Sequence, residues 1–576
     1  MDDQKPRNVP SAAHKHLSRD RFDFNSNPES VSHYRQSTIS KWRFAFICVG
    51  VSLGLFLAMI DSSIVATSLF TIGNEFQDLD RINWVVLAYT LAFVGCSVFF
   101  ARMADVIGRR NAFLAAYALF LSFSLGCGFS KNMTTLLVGR TFQGIGGSGL
   151  FSVTMIIFPE VAPEGLRNMI GPIIGAVISM AGVLGPVLGG ALTSAHSWRW
   201  IFWINGPIGL LCMIIFYLSW PEDKYLPNLP RRCWRDLDYI GSFLVVAAAV
   251  LVTFAFQNAG IDRESATPWS TGAFIGPVAA GILCWIVLVI WEGIFERRWS
   301  TKMAAIPLAL YRNRIITATT LNTMFLGFSF LATLFAVPLR MQVVNGKSPI
   351  MTGVLMLPML GATGLGNIIT GAISRRENRL SETMTVATIM VTVGLALETT
   401  VSDSPQVEPK FVGFLAIIGL GYGMITSAAT MFTTMEAPVH EHAPAQGVIA
   451  QARMLGGSIG ISMSSALLAL QQRAQLTGIV TTADLQDLAN IPDILSDFQQ
   501  AAIRKTYNDA FIKTMMVCAI VAGVGVILTM GTFRRGRVSL SEQRERMIRD
   551  EMSRRQTEHG LSWKEPYSSK SSGRSA

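Results

Sequence analysis

The chain is short of charge: 15% of its 576 residues are Asp, Glu, Lys or Arg, against 50% apolar, and its mean hydropathy is +0.40. That balance argues against a string of soluble domains and points to a membrane protein. Paired cysteines are missing too. Seven cysteines stand singly, most of them inside apolar runs (Cys48, Cys96, Cys127, Cys212, Cys284, Cys518), and no C-x-x-C offers a redox dithiol or a zinc site. They read as small reduced hydrophobes. No G-x-x-x-x-G-K-[ST] occurs, because Gly346-Lys347-Ser348 lacks the leading glycine, so an ATP-driven pump is disfavoured. H-E-x-x-H is absent, and His440 and His442 flank Glu441 with no further ligand near in sequence. Neither an enzyme, a metal nor a cofactor is expected. No signal-peptide pattern precedes the first apolar run; residues 1–42 are polar, basic and rich in Ser, Asn and Pro, and read as a disordered tail.

What the chain does have is long apolar runs. With roughly 20 residues needed to cross the hydrocarbon, candidate spans fall near 43–68, 82–101, 111–130, 134–158, 168–192, 200–219, 238–257, 272–291, 315–340, 350–372, 383–400, 410–432, 446–470 and 510–531. That makes about 14 transmembrane helices, an all-α membrane protein. The net charge of +10 would suit nucleic acid on a soluble surface, but here most Lys and Arg lie in the tails and in short loops, so no nucleic-acid partner is expected. Every second loop is basic: Arg102, Arg109 and Arg110; Arg231, Arg232 and Arg235; Arg297, Arg298, Lys302, Arg312 and Arg314; Arg375, Arg376 and Arg379; Arg534, Arg535 and Arg537. The alternate loops are acidic or neutral, the long segment 471–509 among them. The positive-inside rule then puts both termini in the cytosol, which requires an even number of spans. Asn132-Met133-Thr134 is a glycosylation sequon that falls close to the bilayer on the opposite side.

GRTFQGIGGSG, 139–149, holds Gly144, Gly146 and Gly149 in the spacing G-x-G-x-x-G. A dinucleotide fingerprint needs a preceding strand and a soluble βαβ unit, whereas these glycines sit in the middle of an apolar run. They read instead as a membrane helix in which Gly144, Gly147 and Ser148 shave one face for close packing. Arg140 then lies within a span, where a guanidinium is costly without a polar cavity or a partner, and Gln143 extends its polar face. Asp61, in LAMIDSSIVATSL, is a buried-carboxylate candidate for taking up and releasing a proton. In ARMADVIGRRNAFL, Asp105, Gly108, Arg109 and Arg110 place opposite charges around one turn, as an ion-pair latch or a positive-inside loop would. In AGVLGPVLGGALT, Gly185, Gly189 and Gly190 surround Pro186, which suits a helix that bends and packs closely.

These segments, in this order, resemble the major facilitator superfamily, and in particular its fourteen-span drug:proton antiporter subfamily. Asp61-Ser62-Ser63-Ile64-Val65 is similar to the first-helix motif L-D-x-T-I-V-x-x-A-L-P. Asp105, Gly108, Arg109 and Arg110 match G-x-L-A-D-R-x-G-R-R; Arg140, Gln143, Gly144 and Gly146 match R-x-x-Q-G-x-G; Gly185, Pro186, Gly189 and Gly190 match the fifth-helix antiporter motif. WRWIFWINGPIG, 198–209, and the stretch around Arg453 are also similar to that subfamily, and the likeness spans about residues 43–531. Ala101, Val106, Ser63, Phe70 and Ala181 depart from the motifs, Val106 replacing an arginine of the loop.

The resemblance implies the major facilitator fold: a six-helix bundle at 43–219, two inserted helices in 220–300, a second six-helix bundle at 301–531 and a charged cytosolic tail at 532–576. It implies a proton-coupled exporter of small amphipathic organic molecules such as drugs, toxins or secondary metabolites, as in fungal members, driven by the proton gradient without a cofactor. Protons, the organic substrate and the bilayer are the expected partners, and a monomer in the plasma membrane the expected form. Asp61, with Arg140 and Gln143, would couple to protons; Asp105 and Arg109 would gate; Gly185 and Pro186 would bend and seal. Asn322, Phe325 and Arg453 are candidates for the substrate cavity, with core packing the competing explanation for Phe325, Phe328 and Phe330. The rival functions are an importer or vacuolar transporter of amino acids or siderophores, and a transporter-like nutrient sensor signalling through the tails.

Overall fold

The computed structural model describes residues 41–65, 68–78, 81, 84–162, 170–194, 198–221, 234–261, 268–298, 304–306, 308–374, 378–438, 441–479 and 496–533. The N-terminal tail up to residue 40 and the charged C-terminal tail from residue 534 on lie outside them. Among the described residues 14 helices are long and apolar enough to cross a membrane. They are α1 (Lys41–Ile64), α2 (Trp84–Ile107), α3 (Arg109–Gly128), α4 (Met133–Val161), α5 (Ile170–Ser194), α6 (Asn205–Ser219, entered through the turn Trp200–Trp203), α7 (Tyr239–Ile261), α8 (Gly272–Arg298), α9 (Arg314–Val343), α10 (Pro349–Ile373), α11 (Leu380–Glu398), α12 (Pro409–Glu436), α13 (His442–Leu476) and α14 (Asp497–Thr529). A lipid interior leaves the backbone no partner but itself, which is why each apolar run closes its own hydrogen bonds as a helix.

Polar side chains set where several helices begin. The side chain of Asn132 accepts the Thr135 N–H at 2.8 Å at the start of α4, so the sequon asparagine serves as an N-cap. Ser496 and Gln499 form a reciprocal capping box at α14. Two ends differ from the sequence reading. The fourth helix runs on to Val161 and so includes Glu160, which the apolar pattern leaves in a loop. The segment 471–509 is helical at both ends: α13 continues to Leu476 and α14 starts at Asp497, although the runs are polar there. The reason is mutual pairing, since Gln472 donates to the Tyr507 hydroxyl at 2.8 Å and Gln475 to Asp509 at 2.9 Å, carrying the two helices past the apolar zone together.

Helices α1–α6 enclose one hydrophobic core and α9–α14 enclose the other. The packing pattern repeats. α4 lies against α2 and α3, and α1 against α5 and α6; in the second bundle α12 lies against α10 and α11, and α9 against α13 and α14. The bundles meet along two seams, α5 against α10 and α2 against α13. Of the two inserted helices, α7 lies over the second seam, touching both α2 and α13, and α8 packs on α7 with its outer apolar face uncovered. Glycines make the close contacts possible: a Cβ on Gly144 would stand 2.4 Å from Tyr89 O, and one on Gly146 2.5 Å from Phe120 N. These residues of the G-x-G-x-x-G stretch are where α2 and α3 press on α4, as small residues at membrane helix interfaces allow.

Candidate functional site

A polar cluster lies buried in the core of the first bundle. Asp61 of α1 and Arg140 of α4 are both 0% exposed and form an ion pair. Both carboxylate oxygens are engaged: Gln143 Nε2 donates to Oδ1 at 2.9 Å, Asn205 Nδ2 donates to Oδ1 at 3.2 Å, and Arg140 Nη1 donates to Oδ2. Arg140 also donates through Nε to Val85 O at 3.1 Å and through Nη1 to Gln143 Oε1 at 2.8 Å. Its guanidinium carbon sits 4.4 Å from the Tyr89 ring centroid and 5.6 Å from that of Phe202, which leaves Nη2 facing aromatic faces without a hydrogen-bond acceptor. A second layer fixes these groups, because Tyr89 donates to Ala58 O at 2.7 Å and Asn205 to Ser124 Oγ at 3.0 Å. Arg140 is seven residues into α4, about 10 Å along the helix at 1.5 Å per residue, so the cluster lies nearer the acidic-loop end of the bundle.

The structure thus brings Asp61, Arg140 and Gln143 together and adds three residues the sequence reading did not select. Asn205 lies in the quoted segment 198–209 but is uncharged, and Tyr89 and Phe202 are aromatics in apolar runs. Their only sequence signal was a lone amide within a span, an expensive group there without a partner.

The small-residue helix abuts this cluster. A Cβ on Gly185 of α5 would meet Ser63 Oγ at 1.9 Å and Ile64 N at 3.2 Å, so α5 touches α1 one turn from Asp61. Ser63 donates to Ala181 O at 3.4 Å across the same contact. Gly189 is buried and Gly190 half-buried in the same unbroken helix, which also contains Pro186.

At the basic-loop end, Gly108 turns between α2 and α3 with φ +88, a conformation that side chains with a Cβ resist. The turn brings Asp105 within 2.5 Å of Arg109 Nη1, and Arg109 makes a fork to Glu160 of α4 with contacts of 3.1 Å through Nε and Nη2. Arg110 donates to Tyr217 O at 3.3 Å and covers that ring. All of these residues belong to the first bundle, so the latch fastens α2, α3, α4 and α6 to one another. An ion pair between the bundles comes from a residue outside the selected set: Arg102 of α2, 2% exposed, donates to Glu441 at 3.3 Å, directly before α13.

In the second bundle the selected residues do not gather. Asn322 is fully buried and turned toward α11 and α14, with Nδ2 3.4 Å from Thr388 Oγ1 and Oδ1 unpartnered beneath Gly525. Phe325 is half-buried on α9. Arg453 is 7% exposed with Nε unpartnered, and its charge reaches Tyr422, whose ring stacks on Phe330 at 3.6 Å between centroids. Tyr422 is a further residue that the sequence reading passed over.

Residues 51–461 match the Major Facilitator Superfamily. The chain is 30% identical to the MFS-type transporter FPY5 of Fusarium mangiferae over 83% of this chain and 81% of that protein. It is 26% identical to the efflux pump aflT of Aspergillus parasiticus, over 74% and 82% respectively. Among solved structures, the human organic anion transporter MFSD10 (TETRAN) aligns with a TM-score of 0.52 at 12% identity, over 82% of this chain and 99% of that one, a likeness of fold.

Proposed function

We propose that this chain, which belongs to the major facilitator superfamily, uses the proton gradient to export small amphipathic organic molecules, such as drugs, toxins or secondary metabolites, from the cytosol. In this reading it works as a monomer in the plasma membrane, with both termini and the basic loops cytosolic. The transporter family and the efflux pumps among its fungal relatives support the class. The observation that carries the coupling is the Asp61 cluster: a fully buried carboxylate with both oxygens hydrogen-bonded and one of them to Arg140, set near the end of the bundle that this orientation turns outward.

The chemistry follows from that geometry. While Asp61 is ionised it joins α1 to α4 and α6, and the pair offsets the cost of burying Arg140. A proton arriving on Asp61 removes the negative member, and leaving the other ion buried without compensation costs about 3–5 kcal/mol. The Tyr89 and Phe202 faces, on which Arg140 already lies, offset part of that cost, and movement of Arg140 relieves the rest. Because α5 lies on α1 at Gly185 and on α10 across the seam, a shift of α1 is passed to the junction of the two bundles. Release of the proton to the cytosol restores the pair. A proton moving inward through a membrane potential contributes about 2.3 kcal/mol per 100 mV to each cycle.

The test is uptake of fluorescent amphipathic compounds into inside-out vesicles, with and without an imposed pH gradient. Wild-type protein is expected to accumulate them only with the gradient, and Asp61→Asn to fail although folded. Gradient-independent uptake, or normal pumping by the variant, would refute the proposal and favour the importer or sensor.

A further inference from the structure

Two buried carboxylates converge where the inserted helices join the bundles. Asp238, directly before α7, is 2% exposed, and Glu292, near the end of α8, is 0% exposed. Gly241 is what lets them meet: a Cβ there would stand 2.2 Å from Asp238 Oδ2 and 2.7 Å from Glu292 Oε1. The two oxygens are therefore no more than about 5 Å apart, within the range where like charges oppose each other's ionisation.

Their surroundings are unequal. Asp238 is served as an anion, accepting the Gly241 N–H at 2.9 Å and the Trp291 indole N–H at 3.0 Å. Glu292 accepts the Ile306 N–H at 3.0 Å through Oε1, while its buried Oε2 has no partner. The charged groups acting on Glu292 besides Asp238 are Arg102 of α2 and Glu296, one turn along α8. Arg102 is itself incomplete, with Nε unpartnered, Nη2 on Glu441 at 3.3 Å, and Nη1 3.9 Å from Asp105. A dry site cannot hold two adjacent carboxylates both ionised when one has a bare oxygen; aspartic proteases meet the same constraint by sharing a proton.

We propose that Asp238 and Glu292 are a proton-binding site that shares one proton, and that its occupancy sets the strength of the Arg102–Glu441 tie between the bundles. With the proton bound, the pair carries a single negative charge and Arg102 stays on Glu441. Loss of the proton puts a second negative charge beside Arg102, which then competes with Glu441 for the guanidinium and loosens the tie. The inserted helices thereby sense the pH of the basic face, which is the cytosolic face if the orientation proposed above holds.

The experiment is an infrared pH titration of the full chain in liposomes, following the carbonyl stretch of a neutral carboxylic acid. The wild type is expected to lose such a band as the pH rises, Glu292→Gln to lack it, and Asp238→Asn to lose it at lower pH because the opposing charge is gone. Spin labels at the basic-face ends of α2 and α13 are expected to separate with rising pH in the wild type and to stay put in Glu292→Gln. A titrating band that is identical in the wild type and Glu292→Gln, an unshifted titration in Asp238→Asn, or a label distance that ignores pH in the wild type would overturn the proposal. The infrared result does not depend on transport, so failure of proton-driven export would leave it intact.

Discussion

The two bundles pack alike but handle charge differently. In the first, a buried arginine meets a buried carboxylate, and two amides complete that acid's hydrogen bonds. In the second, Arg453 has no acid within ion-pair distance among the described residues, and Arg340 spends its donors on neutral groups: Asn508 at 3.0 Å, Asn345 at 3.2 Å and the Ser402 carbonyl at 2.7 Å. Glu398, fully buried in the same bundle, has both oxygens unpartnered. The contrast teaches that a repeated helix arrangement does not carry a repeated chemistry. One half has a pair that a single proton can break; the other has cations and aromatic faces that an organic molecule could meet.

The most severe way to break this comparison is to remove the arginines. Arg140→Ala should cost about 3–5 kcal/mol by stranding Asp61, whereas Arg453→Ala, with no buried acid to strand, should cost far less. Unfolding in detergent measures both, and equal losses would abolish the distinction. Packing, by contrast, should behave the same in both halves. Gly144 faces Tyr89 O and Gly456 faces Met324 O, with a Cβ falling at 2.4 Å and 2.0 Å, so Gly144→Ala and Gly456→Ala should each cost about 1–3 kcal/mol by the same measurement. A large difference between them would mean that the bundles are not equally tight.

Smaller effects belong to the rims. Glu160→Gln removes the fork to Arg109, but the partners are 19% and 14% exposed and Asp105 remains, so the loss should be about 1 kcal/mol or less in the same assay. Smaller still is Glu408, between α11 and α12. Hydrogen bonds from Lys410 and Ser402 and the Lys410 charge hold its carboxyl down to about 2. A carboxyl lowered in the folded state adds stability that is complete above its unfolded value of about 4.3 and is lost as the pH falls toward 2. Glu408→Gln should therefore narrow, slightly, the drop in unfolding midpoint over that acid window, and an unchanged drop would show the contact to be fully screened by solvent.

Much of the fold was legible because apolar length is a one-dimensional quantity. All fourteen spans fall where runs of hydrophobic residues lie, and Gly144 and Gly147 share a packing face against Tyr89. The ends were harder, since Gln472, Gln475 and Asp509 look like loop residues until the two helices stand side by side and pair them. Of the cluster, Asp61, Arg140 and Gln143 stood out because charge or an amide inside a span has to be explained. Asn205 and Tyr89 did not stand out, nor did Arg102 with Glu441, whose partnership spans 339 residues of sequence. Contacts of that kind depend on how bundles dock, which hydropathy does not encode.

We propose Asp61 as the group that exchanges a proton when substrate binds. The direct test is to add a transported amphipathic compound to the purified protein in weakly buffered solution and record the protons released. Release by the wild type and none by folded Asp61→Asn is the predicted result. Equal release from both would place the exchanged proton elsewhere and contradict the central claim.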